Sequence, residues 1–385
     1  MNPTPKIIIA CDSFKGSLSS AEVAAAAAKG IRREQPEAEI IEVPVADGGE
    51  GTMSMLVDAL HGHYIDTTVS DPIGRTINAR YGIVNTDGIT TAIIEMAAAS
   101  GLTLLSDDER DPKRTSTRGT GDLIADAYAQ GCRRFIIGIG GSATNDGGSG
   151  MLRALGIRFL DSKGDNLPEG GQALQSLYNI DQSEARRDIL DCEFTIICDV
   201  DNPLTGPDGA SRIFGPQKGA SEDDVRILDS ALCHYAECIS DTTGHNVSDL
   251  PGAGAAGGMG AAFLAFFNAR LRPGIETTLE TIHFADIIHG ADLVITGEGK
   301  LDRQTLHGKT PYGILRTAMA QGIPAVAIGG AVEDVALLCD AGFSAAVSIQ
   351  QRAIPLAEAM ASGTAATNVS DTVSQIIRLL NISGS

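Results

Sequence analysis

No C-x-x-C pair occurs in this 385-residue sequence, whose seven cysteines stand scattered at 11, 132, 192, 198, 233, 238 and 339. An odd number without ligand spacing excludes a disulfide framework and a zinc site, and points to reduced thiols in a cytoplasmic protein. Basic residues are scarce as well: 29 Lys and Arg against 49 Asp and Glu leave a formal net charge of −20. That is the wrong sign for holding a polyphosphate backbone, so nucleic acid and anionic membrane are excluded as partners. Long apolar runs are missing too. The stretch 255–267 is glycine-broken and too short to span a bilayer, and the N-terminus offers only 7–10, so no signal peptide is expected. Tryptophan is absent and aromatics reach 4%. What is abundant is glycine, 45 residues, which implies many places where backbone turns sharply or lies against a ligand.

The length predicts at least two domains. Lys6-Ile-Ile-Ile-Ala10 has the continuous apolar character of a buried parallel strand, and Ser19-Ser-Ala-Glu22 is a capping box opening a helix. A second strand is expected over 39–45. The C-terminal third repeats strand, glycine, helix: strands at 292–296, 324–328 and 345–347, with helices near 312–321, 333–341 and 366–380. This is the grammar of a doubly wound parallel sheet. Between these ends, strand candidates at 64–69, 76–84 and 90–95 suit an antiparallel or mixed patch. They are followed by a helix at 120–130, strands at 135–140, 157–160 and 194–199, and a long helix at 222–240. The expected organisation is an insertion, with one α/β domain from 1–72 and 286–385 and a mixed α/β domain from 73–285.

Several loops have the composition of sites. Gly138-Ile-Gly-Gly-Ser-Ala-Thr-Asn-Asp-Gly-Gly148 lies between a strand and a helix, where glycine amides, Ser142, Thr144 and a helix N-terminus suit phosphate. Gly140, Gly141, Ser142, Thr144, Asn145 and Gly147 are its candidate phosphate ligands. The same loop contains Gly138-x-Gly140-x-x-Ala143, a relaxed dinucleotide fingerprint, with Asp161 where a ribose-binding acid would fall. An NAD(P)-dependent oxidoreductase is therefore a competing function, and a non-catalytic nucleotide-binding protein a third. Gly252-x-Gly254-x-x-Gly257 follows no strand, and its glycines serve either close packing or a ligand. Gly308-Lys-Thr310 resembles the end of a P-loop, but Arg303 replaces the required first glycine. The segment 297–310 instead sets Glu298, Lys300, Asp302, Arg303 and Lys309 at a sheet's carboxyl edge. Asp12-Ser-Phe-Lys-Gly-Ser17 and Asp47-Gly-Gly-Glu-Gly51 should leave the same edge. Asp199 ends a strand of the inserted domain, and its alternatives are a turn, a base or a metal ligand. Six histidines show no ligand spacing; His307, within the charged loop, is the exception worth following.

Taken together, these segments resemble type I glycerate kinase. The matching stretches are Asp12-Ser-Phe-Lys-Gly-Ser-Leu18, Pro44-Val-Ala-Asp-Gly-Gly-Glu-Gly51, the 138–148 loop, Asp199-Val-Asp-Asn-Pro-Leu-Thr-Gly-Pro207, Phe214-Gly-Pro-Gln-Lys-Gly219, Pro251-Gly-Ala-Gly-Ala-Ala-Gly-Gly258 and Thr296-Gly-Glu-Gly-Lys-Leu-Asp302. They cover nearly the whole chain; Cys11 and Met259 are minor variations. The resemblance implies a flavodoxin-like domain joined to one likened to restriction-enzyme cores. It also implies ATP-dependent phosphorylation of D-glycerate, usually at O2, in the breakdown of sugar acids or glyoxylate. The residue inventory is compatible, because phosphoryl transfer asks a protein to position two substrates and neutralise charge. In the expected arrangement the 138–148 loop holds ATP phosphates. Ser13, Lys15, Ser17 and Arg303 bind glycerate, and Asp47, Asp199, Lys300 and Asp302 are catalytic. Asp47 and Asp199 are the Mg²⁺ ligands and the alternatives for the base. The partners expected are small molecules, with a homodimer as the assembly to test for.

Overall fold

The computed structural model describes residues 4–46 and 51–382. Among these, the strands in chain order are β1 Lys6–Cys11, β2 Glu39–Glu42, β3 His63–Ser70, β4 Thr76–Thr86, β5 Ile89–Glu95, β6 Arg134–Gly138, β7 Arg158–Leu160, β8 Asn179–Asp181, β9 Glu193–Ile197, β10 Ala269–Arg272, β11 Leu293–Leu301, β12 Ala325–Val332 and β13 Ala345–Ser348. The chain divides into two compact units, 1–47 with 275–385, and 48–274. These seams differ from the expected 72/73 and 285/286 for two reasons. Strand β3 pairs antiparallel with β4 along its whole length, from His63 opposite Ile83 to Ser70 opposite Thr76, and so belongs to the inserted sheet. At the return, Ile275 and Leu279 lie so close to Gly313 that a Cβ there would sit 2.6 Å from the Ile275 side chain.

In the unit made of both chain ends, five parallel strands run in the order β2-β1-β11-β12-β13. Counted within the unit this is 2-1-3-4-5, the flavodoxin-like order, with its topological switch point between β1 and β11. Ile7, Ile8, Ile9 and Ala10 are all buried, as a central strand covered on both faces requires. The helix Ser20–Glu34 begins with the expected reciprocal bonds between Ser19 and Glu22. Its small-residue face packs against the helix Ser362–Ile382. At Gly30 a Cβ would stand 2.3 Å from the Ser370 carbonyl, so the two helix backbones touch. One strand is longer than its sequence suggests: β11 continues through Gly297 to Leu301, with Glu298 opposite Gly329 and Lys300 opposite Ala331. Neither β1 nor β13 reaches that far. Gly297, still paired with Cys11 of β1, therefore belongs to the body of the sheet, and Gly299 to an extension of β11 beside β12, not to a loop.

The inserted unit is built on a six-stranded mixed sheet of order β10-β9-β6-β5-β4-β3, parallel from β10 to β5 and antiparallel from β5 to β3. Four of its aromatics form one cluster: Phe135 stacks on Phe194 at 4.5 Å, and Phe263 and Phe267 pack against Phe194. The short strand β10 and the helical turns of Ala255–Phe266 are additions to the sequence-based expectation. Within the latter, Ala256, Gly257 and Gly258 are left-handed, with φ of 52°, 68° and 92°. This turn presses against the 138–148 loop: the Gly257 carbonyl accepts from the Gly147 amide at 3.0 Å. A Cβ at Gly257 would meet the Thr144 carbonyl at 2.0 Å.

Gly257→Ala should therefore destabilise the protein by about 2–5 kcal/mol, the sum of a left-handed non-glycine residue and overpacking. Gly244→Ala, at φ 77° with open space around it, should cost only about 1–2 kcal/mol. Urea unfolding of the two variants checks this contrast, and equal losses would contradict the packing argument.

Candidate active site

The switch point of the five-stranded sheet places two polar segments side by side. Strand β1 ends into Asp12, whose amide donates to the Gly297 carbonyl at 2.9 Å, and a tight turn follows in which Phe14 and Leu18 exchange backbone bonds. Gly16, at φ 77°, allows that turn. The Asp12 carboxylate accepts from the Ser13 amide at 2.6 Å and from Thr310 Oγ1 at 2.8 Å. On the neighbouring strand, Glu298 accepts from Thr305 Oγ1 at 2.6 Å and pairs with Lys309 Nζ at 3.4 Å. Burial is the main cause raising the Glu298 carboxyl above its ordinary value; hydrogen bonds from Thr305 and Lys309 oppose it, and the charge of Asp12 adds to it. Lys300 lies between Glu333, at 3.1 Å, and Asp302, at 3.2 Å, and both bonds raise its ammonium above the ordinary value. Asp302 also caps the following turn by accepting from the Gln304 amide at 2.8 Å. Partial burial works against its carboxylate, but Lys300 and that amide hold it below the usual range.

Of the expected site residues in this unit, Ser13, Lys15 and Arg303 are exposed, and Lys15 and Arg303 make no ion pair with any described residue. Ser17 is half-buried, and its hydroxyl has no hydrogen-bond partner among the described residues. Asp47 lies outside the described residues. Lys300 and Asp302 are occupied with each other, which gives them a structural duty next to any catalytic one. Asp12, Glu298 and Thr310 complete this edge. The charged segment 297–310 marks Glu298 in the sequence, whereas no spacing rule joins Asp12 to Thr310, 298 residues away.

The 138–148 loop is not the open cradle that its glycines suggest. Gly140 and Gly141 are exposed, whereas Ser142, Thr144, Asn145 and Gly147 are buried inside their own unit. Ser142 and Gly101 form an antiparallel bridge, and Ala143 donates to Ser100. Asn145 donates to Ser211 at 2.9 Å, and a Cβ at Gly147 would collide with the Tyr235 ring at 2.4 Å. The interior of the loop is organised by Asp146, fully buried, which accepts from the Thr117 amide and hydroxyl and from the Gly148 and Gly150 amides. Beside it, Lys218 is buried and donates to Ser142 Oγ at 2.8 Å and to the Thr144 carbonyl at 2.7 Å. Burial lowers the Lys218 ammonium to about 7, against the attraction of Asp146. Burial likewise raises Asp146, yet four donors converging on its two oxygens favour the carboxylate.

The dinucleotide fingerprint also lacks its context. Strand β6 ends at Gly138, but the helix opens only at Ser149, so no helix N-terminus stands behind Gly140. Asp161 closes its own turn by accepting from the Lys163 and Asp165 amides. Asp199, exposed just beyond β9, accepts from the Gly274 amide at 2.9 Å. Because β6 and β9 are neighbouring parallel strands, Asp199 and the Gly140-Gly141 pair leave the same carboxyl edge. Among the described residues no three His, Cys, Asp or Glu side chains gather as a metal cluster, and no helix is long and apolar enough to cross a membrane.

The fold and these two carboxyl edges, bearing carboxylates, exposed cations and glycine amides, define an α/β enzyme suited to phosphoryl transfer. The chain belongs to the glycerate kinase family, whose model matches residues 7–381. It is 49% identical to the glycerate 2-kinase of Escherichia coli K12 over 89% of this chain and 90% of that one. It is 48% identical to the glycerate kinase of Bacillus subtilis strain 168 over 92% of each. A crystal structure described as glycerate kinase 2 from Salmonella typhimurium LT2 superposes with a TM-score of 0.88 at 44% identity, covering 99% of both chains. Like the family's named members, the protein is a phosphotransferase with an alcohol group as acceptor.

The buried lysine makes a pH-dependent contribution to stability with a definite sign. Its folded value of about 7 lies below the ordinary 10.5, so between these limits the unfolded chain binds the extra proton. Stability from this group then rises with pH across that window, by up to about 1.4 kcal/mol per unit. Denaturant unfolding of wild type and Lys218→Met from pH 7 to 9.5 should show the wild type gaining on the variant as pH rises. A flat difference would mean that Lys218 keeps its proton throughout.

Proposed function

We propose that the protein transfers the γ-phosphoryl group of ATP to the O2 hydroxyl of D-glycerate, giving 2-phospho-D-glycerate and ADP in cytoplasmic sugar-acid or glyoxylate breakdown. The hydroxyl oxygen forms the new P–O bond, the bond from γ-phosphorus to the ADP oxygen breaks, and the hydroxyl proton passes to a carboxylate. The observation that carries this reading is the switch-point edge, where the turn after β1 and the segment after β11 bear Asp12, Glu298 and the exposed Lys15 and Arg303. Free cations over glycine backbone are what a transferring phosphoryl group requires, since catalysis here is mostly positioning and charge neutralisation. Similarity to the Escherichia coli glycerate 2-kinase supports the choice of O2.

Mg²⁺ fits the same edge. Asp12 and Glu298 offer hard carboxylate oxygens close to one another, and this ion prefers one or two carboxylates together with substrate phosphates. Bound there with ATP, it would neutralise phosphate charge. Asp199, whose carboxylate accepts from the Gly274 amide, is one alternative for the group that accepts the proton, on the strength of its sequence motif. Asp47 is the other, on the same ground.

The test is to incubate the protein with Mg-ATP and D-glycerate and couple directly to enolase, omitting phosphoglycerate mutase. A signal is the expected result. ADP release that yields a signal only after mutase is added would assign O3, and no ADP release would overturn the kinase reading. Of Asp199→Asn and Asp47→Asn, the variant lacking the base should lose about 10²–10⁴-fold in kcat while its melting curve is unchanged. Near-normal rates in both would remove both from that role.

A further inference from the structure

We propose that the cavity on the carboxyl edge of the five-stranded sheet binds the base and ribose of a purine nucleoside triphosphate, the phosphoryl donor, whose phosphates leave it over Lys15. This rests on the kinase reading above and reverses the expectation that the 138–148 loop holds ATP. The cavity measures about 620 Å³ and is lined wholly by residues of this one unit. Its floor is the ends of the parallel strands: the Phe14–Ser17 turn after β1, Gly299 and Lys300 on β11, Gly330 and Ala331 on β12, and the segment after β13. Ligands of open parallel sheets bind in such a place, outside the carboxyl ends at the switch point.

Size and chemistry decide between the two substrates. D-glycerate has three carbons carrying four oxygens, and would leave most of such a volume empty and find few polar partners. The walls are Phe14, Ile349, Ile354, Leu356, Ala359 and Met360, a surface for a flat heteroaromatic ring. Leu356 is 74% exposed and Met360 36%, so an apolar lip stands open to solvent, where a base would cover it. Pockets of this volume with mostly apolar walls and a few polar groups suit ligands of nucleotide size.

The polar lining groups are Lys15, Ser17, Lys300, Gln350 and Arg352, the last paired with Glu358 at 3.4 Å. The Ser17 hydroxyl, buried in the wall, has no partner among the described residues, and a buried hydroxyl left unpaired calls for one. Lys15 is exposed and makes no ion pair with a described residue, which leaves its ammonium available to a polyphosphate. Lys300 is already shared between Asp302 and Glu333, and its duty is to hold the β11 extension in place. Gly299 and Gly330 face each other without side chains: a Cβ at Gly330 would lie 2.8 Å from the Gly299 carbonyl. Backbone therefore forms this part of the floor.

The experiment measures equilibrium binding to the full chain by calorimetry, with ADP and with tripolyphosphate as probes. Ala331→Trp and Ala353→Trp enter the cavity from two walls, and both positions are exposed, so the fold is spared. Each should raise the ADP Kd and the KM for ATP at least tenfold while leaving tripolyphosphate binding as in wild type. Lys15→Ala should weaken both probes. Folded Trp variants that bind ADP within twofold of wild type would overturn the proposal. If wild type then still phosphorylates D-glycerate, only the cavity assignment falls. If wild type releases no ADP from Mg-ATP and D-glycerate, the kinase reading falls, and the ADP titration still decides the cavity.

Discussion

A carboxylate sealed from water, Asp146, is the constraint around which the inserted unit is arranged. An unpaired buried charge costs several kcal/mol even after relaxation, so the chain must bring donors to it. Three backbone amides and one hydroxyl do this, from Thr117, Gly148 and Gly150. These donors fix the start of the helix Arg118–Ala129, the end of the glycine loop and the helix Ser149–Ala154 relative to one another. Lys218 then ties a fourth segment to the same place through Ser142 and the Thr144 carbonyl. The exposed edge formed by Gly140 and Gly141 is thus held from behind by an interior polar network, and its position does not depend on a flexible loop.

The same network explains why the glycine excess misleads when taken as a record of ligand contacts. A loop pulled inward toward Asp146 must pass close to its neighbours, and those neighbours must yield space. Gly147 yields it to Tyr235, Gly257 to the Thr144 carbonyl, and Gly260 to the Gly252 carbonyl, where a Cβ would come within 2.0 Å. Two glycine-rich segments that each look like a phosphate cradle are therefore in large part packed against each other. Only where the loop surfaces, at Gly140 and Gly141, is backbone left for a substrate.

The fold of the chain-end unit was legible because its signals are local. An apolar strand, a glycine turn and a capped helix lie within some thirty residues of one another, on the order of one βαβ unit, and Ser19 and Glu22 cap as their spacing predicts. The extension of β11 was hidden by the same reasoning: glycine at 297 reads as a strand end, yet it is there because a Cβ would meet the Ile328 carbonyl at 2.3 Å. The membership of β3 was not legible either, since only its pairing with β4 decides it. Among the site residues, Lys15 and Arg303 are exposed at the expected edge. The interior role of Thr144 and Asn145, and the bond from Lys218 to Ser142 across 76 residues of sequence, depend on tertiary contacts that no local pattern carries.

Net charge enters the argument at this point with a narrower meaning. At −20 the molecule as a whole repels polyanions, and screening at physiological ionic strength limits that repulsion to about 8 Å. Within such a distance the local inventory decides. At the switch point the acids are largely engaged: Asp302 with Lys300, Glu298 with Lys309 and Thr305, Asp12 with Thr310. Lys15 and Arg303 stand without an acidic partner among the described residues. An acidic protein can thus keep two exposed cations on an edge whose carboxylates are held by lysines and hydroxyls, which favours small, densely charged anions there over an extended backbone. Engaged carboxylates are also oriented ones, which suits Asp12 and Glu298 to receiving a hard cation with the phosphates it accompanies.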